Sequence, residues 1–458
     1  GTTTELSYYI TPEGFNLSDG STSVASTDAE QNAIANANAA FTDVANLSFA
    51  ETTSDDTDAN FRWSFATGGG LGQADFPGLY GNVTSDVITY SDAYSGNSGA
   101  MDAGGYYYLT LPHELGHAMG LAHPHNGGGA WDGDFSEYGS EYFPGVMSYD
   151  SGGDNDLNSA PFSTMTYNDA TSELTSSNSS GGTDYVTPGD QVNYGYGEGL
   201  GAFDIATLQY LYGPNTTKGA STDDVYMLDS TTLNGYKTIW DNGGADTISA
   251  VDAGDAVYID LRSATLLNEA GGGGYISRVD NAYIGYTIAY NTTGTAIIEN
   301  AIGSSFNDKI VGNSSANSLE GGAGDDSLNG GAGNDTFTGG AGNDILTGGA
   351  GVDTAGFSSA NNTVNLGTSS RQDTGDGSDI LTGIENVSGG GGSDTLTGSS
   401  GTNTLDGGSG NDTLNGGSGN DRLTGGSGTD TAVFSSRNNT VNLGKTSRQN
   451  TGDGRDIL

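Results

Sequence analysis

Apolar residues recur at two different spacings in the amino-terminal half of the chain, and each spacing predicts a different element. Apolar and polar positions alternate in residues 5–10 and 60–67, as they do in strands with one buried face. Apolar residues return every three or four positions in residues 26–49, 106–123 and 202–213, as they do in amphipathic helices. Residues 1–213 are therefore predicted to form a domain of the α+β class.

The first two predicted helices carry recognisable start and stop residues. Ser26 or Thr27 is suited to cap the first helix, which we expect to end near Asn46. Gly120 and Pro124 are stop signals for the second helix, because neither residue type continues a helix well.

The helical spacing disappears after residue 213. Residues 214–302 are predicted to be a strand-rich segment that leads into a repeat region at 303–458. Eleven copies of the pattern G-G-x-G-x-D-x-U-x, with U apolar, stand in two arrays at 303–356 and 389–433. A flexible Gly/Asp-rich linker would not keep an apolar residue at the eighth position through eleven copies. We therefore expect residues 303–458 to form an all-β parallel β-roll.

The nonapeptide has the composition of a calcium-binding turn. Glycine permits the tight turn of the first six positions, and the last three form a short strand whose apolar side chain points inward. Carbonyl oxygens and the sixth-position carboxylate converge between turns, which is the hard-oxygen environment that Ca²⁺ prefers. We expect weaker or absent sites where Asn317 and Asn403 take the sixth position. The predicted calcium ligands are Asp308, Asp326, Asp335, Asp344, Asp353, Asp394, Asp412, Asp421 and Asp430.

The two arrays are out of phase with each other. Residues 354–388 are therefore predicted to be a spacer or a cap between them. A longer repeat is also present, because residues 353–381 recur as 430–458 with 23 of 29 positions identical.

Composition narrows the choice of partners. The chain has 57 acidic and only 12 basic residues, so nucleic acid is excluded as a partner by charge repulsion. It has no cysteine, and it therefore uses neither disulfides nor thiolate metal sites. No apolar run approaches the length of a membrane span, so we expect no membrane association. The remaining explanations for the acidity are bound cations and tolerance of salt.

The sequence HELGHAMGLAH at 113–123 contains the candidate metal-binding and catalytic residues. His113 and His117 are one helical turn apart, so both rings face the same way and can share one metal ion. Glu114 is next to the first ligand, within reach of a metal-bound water. Gly120 allows a sharp turn that brings His123 back as a third ligand. Three imidazoles leave an open position for water, which is the requirement for a catalytic zinc ion.

This extended motif resembles that of the metzincin metalloproteases. With the calcium repeats on its carboxyl side, the whole chain resembles a serralysin, a secreted bacterial zinc endopeptidase. The segments FTDVANLSF, DIATLQYLYG, WDNGGADT and IENAIG are also similar to serralysin sequences. The resemblance implies a metzincin-like protease domain followed by an RTX calcium β-roll.

The resemblance also implies roles for individual residues. His113, His117 and His123 would hold zinc, and Glu114 would be the general base. A tyrosine two residues after the methionine of a Met-turn would bind zinc in the resting enzyme and then steady the oxyanion. Further calcium ligands are implied at Asp241, Asp246 and Glu299, which match family positions. An extended substrate would pair with an edge strand at Gly72, Gln73 and Ala74.

Two segments have the Met-x-Tyr form that the Met-turn requires. Met165 and Tyr167 lie in PFSTMTYND, which resembles the family phrase and follows a polar loop, so we predict that this segment is the Met-turn. Met147 and Tyr149 are the alternative, and VMSY matches the commonest spelling of the family better.

These features predict a zinc-dependent endopeptidase of broad specificity that cleaves extracellular polypeptides. It would be a monomer that binds one zinc ion and several calcium ions. Secretion is expected because the roll would stay unfolded at the low calcium concentration inside a cell. The alternative is a calcium-dependent adhesive or binding RTX protein with an inactive protease domain. The complete set of motif residues at 113–123 argues against that loss of activity.

Overall fold

In the computed structural model, the described residues are 3–17, 20–53, 59–67, 72–74, 85–90, 106–119, 121, 200–217, 222–231, 233, 235–266, 274–280, 282, 284–290, 298–358, 361–433, 440–442 and 448–450.

The described amino-terminal residues form a six-stranded sheet and three helices, as expected for an α+β domain. The strand order is β3-β1-β4-β6-β5, and β2 pairs with β4. All of these pairings are parallel except those of β2 with β4 and of β5 with β6. The elements are β1 Thr4–Ile10, β2 Ser23–Val24, α1 Asp28–Val44, β3 Leu47–Glu51, β4 Phe61–Ala66, β5 Gly72–Ala74, β6 Ser85–Tyr90, α2 Tyr106–Ala118 and α3 Ala202–Tyr212.

Helix α1 begins where its capping sequence predicts. Thr27 is the cap, its Oγ1 accepts the Glu30 amide at 3.3 Å, and the Glu30 carboxylate accepts the Thr27 amide at 2.5 Å. This reciprocal pair satisfies two amides that have no partner within the helix. The helix buries one apolar face that includes Ile34 and Phe41.

Helix α3 joins the three helices to one another. The Gln209 side chain donates to the Val44 carbonyl of α1 at 3.0 Å, and the Tyr212 hydroxyl donates to the Met119 carbonyl after α2 at 3.2 Å. Gly213 then ends the helix with φ at +82°, a conformation that favours glycine. Among the described residues, no helix combines the length and apolarity of a membrane span.

The remaining strands form a roll of three sheets. The ten-stranded sheet has the order β29-β27-β25-β23-β19-β17-β15-β13-β9-β7, the nine-stranded sheet β21-β22-β18-β16-β14-β10-β11-β12-β8, and the five-stranded sheet β20-β24-β26-β28-β30. Before the arrays the strands are β7 Val225–Met227, β8 Tyr236–Ile239, β9 Thr247–Ser249, β10 Val257–Asp260, β11 Ser277–Val279, β12 Gly285–Ile288 and β13 Asn300–Ile302.

Successive nonapeptides alternate between two sheets, so each turn pairs in parallel with the turn two repeats further along the chain. Leu319 lies opposite Phe337, and Leu328 lies opposite Leu346. The apolar residue of each described turn is at most 1% exposed, which confirms the inward direction predicted for it. The first array holds β14 Lys309–Val311, β15 Ser318–Ala323, β16 Ser327–Ala332, β17 Thr336–Ala341, β18 Ile345–Ala350 and β19 Thr354–Gly356.

Four strands of the first array are longer than the three residues predicted from the repeat. Strands β15 to β18 have six residues each, because pairs such as Gly322 with Gly340 and Ala323 with Ala341 extend the parallel strand pairing. The later strands are short: β20 Thr363–Asn365, β21 Gln372–Asp373, β22 Ser378–Thr382, β23 Asn386–Ser388, β24 Thr395–Thr397, β25 Thr404–Asp406, β26 Thr413–Asn415, β27 Arg422–Thr424, β28 Thr431–Val433, β29 Thr440–Asn442 and β30 Arg448–Asn450.

The segment 354–388 is not a spacer outside the roll. Its first and last strands, β19 and β23, pair with each other and keep the ten-stranded sheet continuous. Between them, β22 and its antiparallel partner β21 end the nine-stranded sheet, and β20 begins the five-stranded sheet. Buried Thr374 joins the two, because its carbonyl accepts the Thr363 amide at 3.1 Å and its hydroxyl donates to Asp379. The ten-stranded sheet therefore runs through both arrays, whereas the nine-stranded sheet beside the first array is followed by the five-stranded sheet beside the second.

Candidate metal centres

Helix α2 carries the H-E-x-x-H motif and is fixed by packing on both sides. It packs against α1 and against the strands β5 and β6. Leu111 and Leu115 are fully buried in the core, while His113 and Glu114 retain 8% and 7% exposure. His117 follows one turn later in the same helix. His113 and Glu114 thus lie in a closely packed position that is largely shielded from solvent.

Burial raises the pKa of Glu114 to about 8. Desolvation disfavours the charged carboxylate, so without a nearby cation the side chain retains its proton near neutral pH. A metal ion bound at the neighbouring histidine would favour the carboxylate instead. The arrangement therefore suits a group that takes up and releases a proton.

Helix α2 ends at Ala118, before the predicted stop signals. The Met119 amide donates to the Leu115 carbonyl and the Leu121 amide donates to the Gly116 carbonyl, each at 2.9 Å. Gly120 and the other predicted site residues that follow lie outside the described residues, and they are His123, Met147, Tyr149, Met165 and Tyr167.

Strand β5 is the end strand of the amino-terminal sheet among the described residues. Gly72–Ala74 pair in antiparallel fashion with β6, and α2 packs against both strands. The residues predicted to bind an extended substrate therefore lie beside the helix that carries the histidines.

The sixth-position aspartates form hydrogen-bonded columns, which we call the aspartate ladder. In each described step, the backbone amide at one sixth position donates to the side-chain oxygen of the sixth position two repeats later, at 2.7–3.1 Å. Its members in the two arrays are Asp308, Asn317, Asp326, Asp335, Asp344, Asp353, Asp394, Asn403, Asp412, Asp421 and Asp430. The ladder uses one carboxylate oxygen of each accepting aspartate.

The second oxygen of most ladder aspartates is buried and has no hydrogen-bond partner among the described residues. A buried carboxylate oxygen without a partner is costly, so these atoms fit a bound cation, and an all-oxygen environment fits Ca²⁺. The atoms are Oδ2 of Asp326, Asp335, Asp353, Asp394, Asp412 and Asp430. Each of these six residues is at most 2% exposed.

Without a cation, burial and repulsion from neighbouring carboxylates disfavour the charged form of the ladder aspartates. Burial, reinforced by the charges of Asp344 and Asp308, raises the pKa of Asp326 to about 7. Burial likewise raises the pKa values of Asp335, Asp344 and Asp394 to about 6.

Three sixth positions are satisfied without a cation. Both Asp308 oxygens accept hydrogen bonds, one from the Val257 amide at 2.8 Å and both from Ser304. The Asn317 side-chain amide donates to the Glu299 carbonyl at 3.0 Å, and that of Asn403 donates to the Glu385 carbonyl at 2.7 Å. The amide hydrogens thus supply locally what a cation would supply at an aspartate, in agreement with the weaker sites expected at the two asparagines.

A second acidic group lies before the arrays. Carboxylate oxygens of Asp224, Asp241 and Asp246 lie within 4.8 Å of one another, and Glu299 accepts the Asp246 amide at 2.9 Å. Asp246 Oδ2 is buried without a hydrogen-bond partner among the described residues, whereas Asp241 accepts the Tyr226 hydroxyl at 2.6 Å. The group contains the three residues implied by the family resemblance.

Sequence reasoning missed Asp224, Asp379 and Glu385. Asp224 precedes strand β7 as a sixth-position aspartate precedes its strand, and this D-x-U spacing could have identified it. Glu385 lies in an Ile-Glu-Asn sequence, as Glu299 does. Asp379 accepts the Asp344 amide at 2.8 Å, and the sequence TGDGSDILT at 374–382 keeps two glycines, the sixth-position aspartate and the apolar eighth position of the repeat, so this pattern could have identified it.

Comparison with known proteins finds calcium-binding repeats in this chain and similarity to metalloproteases. The RTX calcium-binding nonapeptide repeat family matches residues 302–337, 320–355, 329–364, 381–414 and 397–432. Serralysin from Proteus mirabilis is 31% identical over 203 residues, which are 42% of this chain and 35% of that protein. Serralysin C from Dickeya chrysanthemi is 30% identical over 255 residues, 52% of this chain and 46% of that protein.

Metallopeptidase AprA from Pseudomonas marginalis is 30% identical over 267 residues, 54% of this chain and 50% of that protein. The chain thus spans half or less of the length of these curated relatives. The buried motif helix, the aspartate ladder and these similarities lead to one conclusion: the chain is related to the serralysin-type metalloproteases and carries RTX calcium-binding repeats.

Proposed function

We propose that the chain is a secreted, monomeric zinc endopeptidase that cleaves extracellular polypeptides with broad specificity. Residues 1–213 would be the protease domain, 214–302 the segment leading into the roll, and 303–458 the calcium-binding roll. The observation that carries the proposal is the buried His113-Glu114 pair on a helix beside an end strand, in a chain similar to metallopeptidases.

The donor set fits zinc, which is most often bound by imidazole nitrogens in catalytic sites. His113, His117 and His123 would hold the ion, with the Tyr167 hydroxyl as a fourth ligand in the resting state. Zinc would supply Lewis-acid polarisation and would lower the pKa of water.

Glu114 would take the proton from the attacking water and pass it to the leaving amine. The position of its carboxylate is fixed by the packing of α2, which is what a proton carrier needs. Tyr167 would donate a hydrogen bond to the oxyanion of the tetrahedral intermediate. The substrate would pair through its main chain with Gly72–Ala74, and main-chain pairing gives broad specificity.

The test of this function combines metal analysis with a casein assay. We expect about one zinc ion per chain and casein hydrolysis that 1,10-phenanthroline stops and added zinc restores. EGTA in the presence of zinc serves as the control that separates loss of calcium from loss of zinc. A chain that binds calcium but holds no zinc and does not hydrolyse casein would instead be the adhesive RTX protein.

The identity of the Met-turn tyrosine is open to a paired test. Tyr167→Phe should lower kcat for a peptide substrate by about a hundredfold or more, because one oxyanion donor is lost. Tyr149→Phe is the matched control and should leave kcat within about twofold of the parent. The reverse result would assign the role to Tyr149 and its neighbour Met147.

A further inference from the structure

Three of the few basic residues lie together at strand β10 and its neighbours. The chain has only 12 lysines and arginines against 57 acidic residues. The Arg262 guanidinium carbon lies 3.6 Å from the centre of the Tyr275 ring. The Arg278 guanidinium carbon and the Lys309 ammonium nitrogen each lie 5.2 Å from the centre of the Tyr258 ring. In so acidic a chain, this concentration of positive charge sets one part of the surface apart.

Strand pairing explains why two of these cations share one tyrosine. Strand β10 lies between β11 and β14, and Tyr258 stands opposite Arg278 on one side and Lys309 on the other. Buried Ile259 faces the core, so its neighbour Tyr258 faces away from the core. An aromatic ring attracts cations, and the tyrosine therefore keeps both positive groups in the same place. We call Arg278, Tyr258 and Lys309 the cation–tyrosine cluster.

The positive charge of the cluster is not neutralised by the described residues. Asp260 lies on the same face of β10 and is fully buried, where it accepts the Tyr258 hydroxyl at 2.6 Å and pairs with Arg262 at 2.6 Å. Arg278 and Lys309 form no ion pair with any described carboxylate, and Lys309 is exposed. Two cations held side by side repel each other, and an external anion bound between them relieves that repulsion.

Two rows of outward side chains continue from the cluster across β14, β16, β18 and β22, and neither row contains an acidic residue. Neighbouring strands are about 4.8 Å apart, so each row is regularly spaced along the roll. The first row is Lys309, Ser327, Ile345 and Ile380, and the second is Val311, Asn329, Thr347 and Thr382. The outer face of the ten-stranded sheet, by contrast, has Glu320 and Asp406. A negatively charged partner therefore meets less repulsion beside the cluster, because more distant charges are screened over about 8 Å at physiological salt.

The form of this face favours a polysaccharide over a peptide or a nucleic acid. Strands β10, β14, β16 and β18 are each paired on both sides, so they offer an extended peptide no open main-chain edge. Duplex DNA has one charge about every 1.7 Å, and the 57 acidic residues repel such a dense charge. A uronate-containing polysaccharide has more widely spaced carboxylates. Its sugar rings present both hydroxyl groups and apolar C–H faces, as the first row presents both Ser327 and Ile345.

We propose that the cation–tyrosine cluster and the first row beside it bind a uronate-containing polysaccharide. Arg278 and Lys309 hold one carboxylate through charge-assisted hydrogen bonds. The next sugar rings lie along Ser327 and Ile345, and the Ile345 side chain, at 38% exposure, packs against a C–H face. The site uses none of the residues proposed to bind zinc, so it is a binding function separate from the proposed peptidase activity.

Binding is tested with the full chain in calcium and a fluorescently labelled hyaluronan octasaccharide, in which carboxylate-bearing and neutral sugars alternate. We expect saturable binding by fluorescence anisotropy that weakens as NaCl is raised and is unchanged by 1,10-phenanthroline. The double variant Arg278→Gln/Lys309→Gln should raise Kd about tenfold or more, because two charge-assisted contacts are lost. A labelled chitin octasaccharide, which is neutral, should bind the parent at least about tenfold more weakly for the same reason.

Arg422→Gln is the matched control, because Arg422 has the same repeat position as Lys309 but lies on β27 in the ten-stranded sheet. Its Kd should equal that of the parent. The proposal is wrong if the parent does not bind hyaluronan or if the double variant binds it as the parent does. Equal binding of the chitin octasaccharide or of a labelled glutamate decapeptide also overturns it. Should the double variant fail to fold, Lys309→Gln decides, because this side chain is exposed: a raised Kd supports the site and a parental Kd overturns it.

Discussion

Chelation of calcium with EGTA is expected to remove most of the β-strand signal of the roll from the far-UV circular dichroism spectrum, and added calcium should restore it. Each turn buries one apolar side chain, so the hydrophobic contribution to folding is small. Six ladder aspartates each bury an oxygen that has no hydrogen-bond partner in the described part of the chain. Without a cation these columns of carboxylates repel one another, so metal binding and folding are one equilibrium.

The effect of EGTA should depend on pH in a defined direction. Burial raises the pKa of Asp326 to about 7 and that of Asp335 to about 6, above the ordinary value of an aspartate. The folded roll therefore holds these protons more tightly than the unfolded chain does. Stability of the calcium-free roll falls as pH rises through about 6 to 7 and increases as pH falls. In protein that is freed of calcium before the pH is set, the loss of signal should thus be smaller at about pH 5 than at about pH 8.

Magnesium provides the control for this experiment. It requires near-octahedral geometry and gives up water reluctantly, so the same concentration should not restore the spectrum. A spectrum that is indifferent to EGTA at about pH 8, where the carboxylates are charged, would contradict the assignment of calcium to the ladder.

Glu114→Gln is expected to keep zinc bound while casein hydrolysis falls by at least about a hundredfold, the usual scale of general acid–base catalysis. Glutamine has the size of glutamate but cannot accept the proton of the attacking water. The buried position on α2 should remain intact, because replacing a carboxylate whose pKa is raised by burial removes a desolvation cost.

Glu13→Gln is the matched control, since Glu13 is exposed in a turn of the amino-terminal part. It should retain both zinc and activity. Zinc content by metal analysis and initial rates with fluorescent casein give the two readouts. Activity of Glu114→Gln close to that of the parent would remove Glu114 from the role of general base.

Rules that involve only residues close together in the sequence were sufficient to predict the cap of helix α1 and the turns of the roll. The α1 cap at Thr27 follows from a hydroxyl and a carboxylate three residues apart, and both are visible in the sequence. The turns of the roll follow from the strict period of the nonapeptide. This period sets both the register of the strand pairing and the inward direction of the apolar side chains. Helix α2 was harder to delimit, because it ends at Ala118 although helical apolar spacing continues beyond it.

The joining segment shows where local rules fail. The unbroken nonapeptide period stops there, and the single repeat-like sequence TGDGSDILT at 374–382 marks Asp379 but not the pairing of β19 with β23 at the far end of the segment. Glu385 accepts the Asp353 amide because the chain returns to the same sheet, and such a return is a property of the fold. Asp308 illustrates the opposite case, because its repeat position is standard but Val257 and Ser304 already occupy its oxygens.

The two-repeat spacing of the ladder has a consequence for how such chains can change in length. Each described ladder amide donates to a sixth position two repeats later, and the amide after a sixth position donates to the carbonyl of the sixth position two repeats earlier, so each turn is bonded to turns on both sides of it. Gain or loss of one nonapeptide would transfer all later turns to the other sheet. Gain or loss of two nonapeptides keeps each turn on its own sheet. The fold is therefore expected to accept the gain or loss of repeats in pairs, whereas a single added or lost repeat would require a rebuilt joint between the sheets.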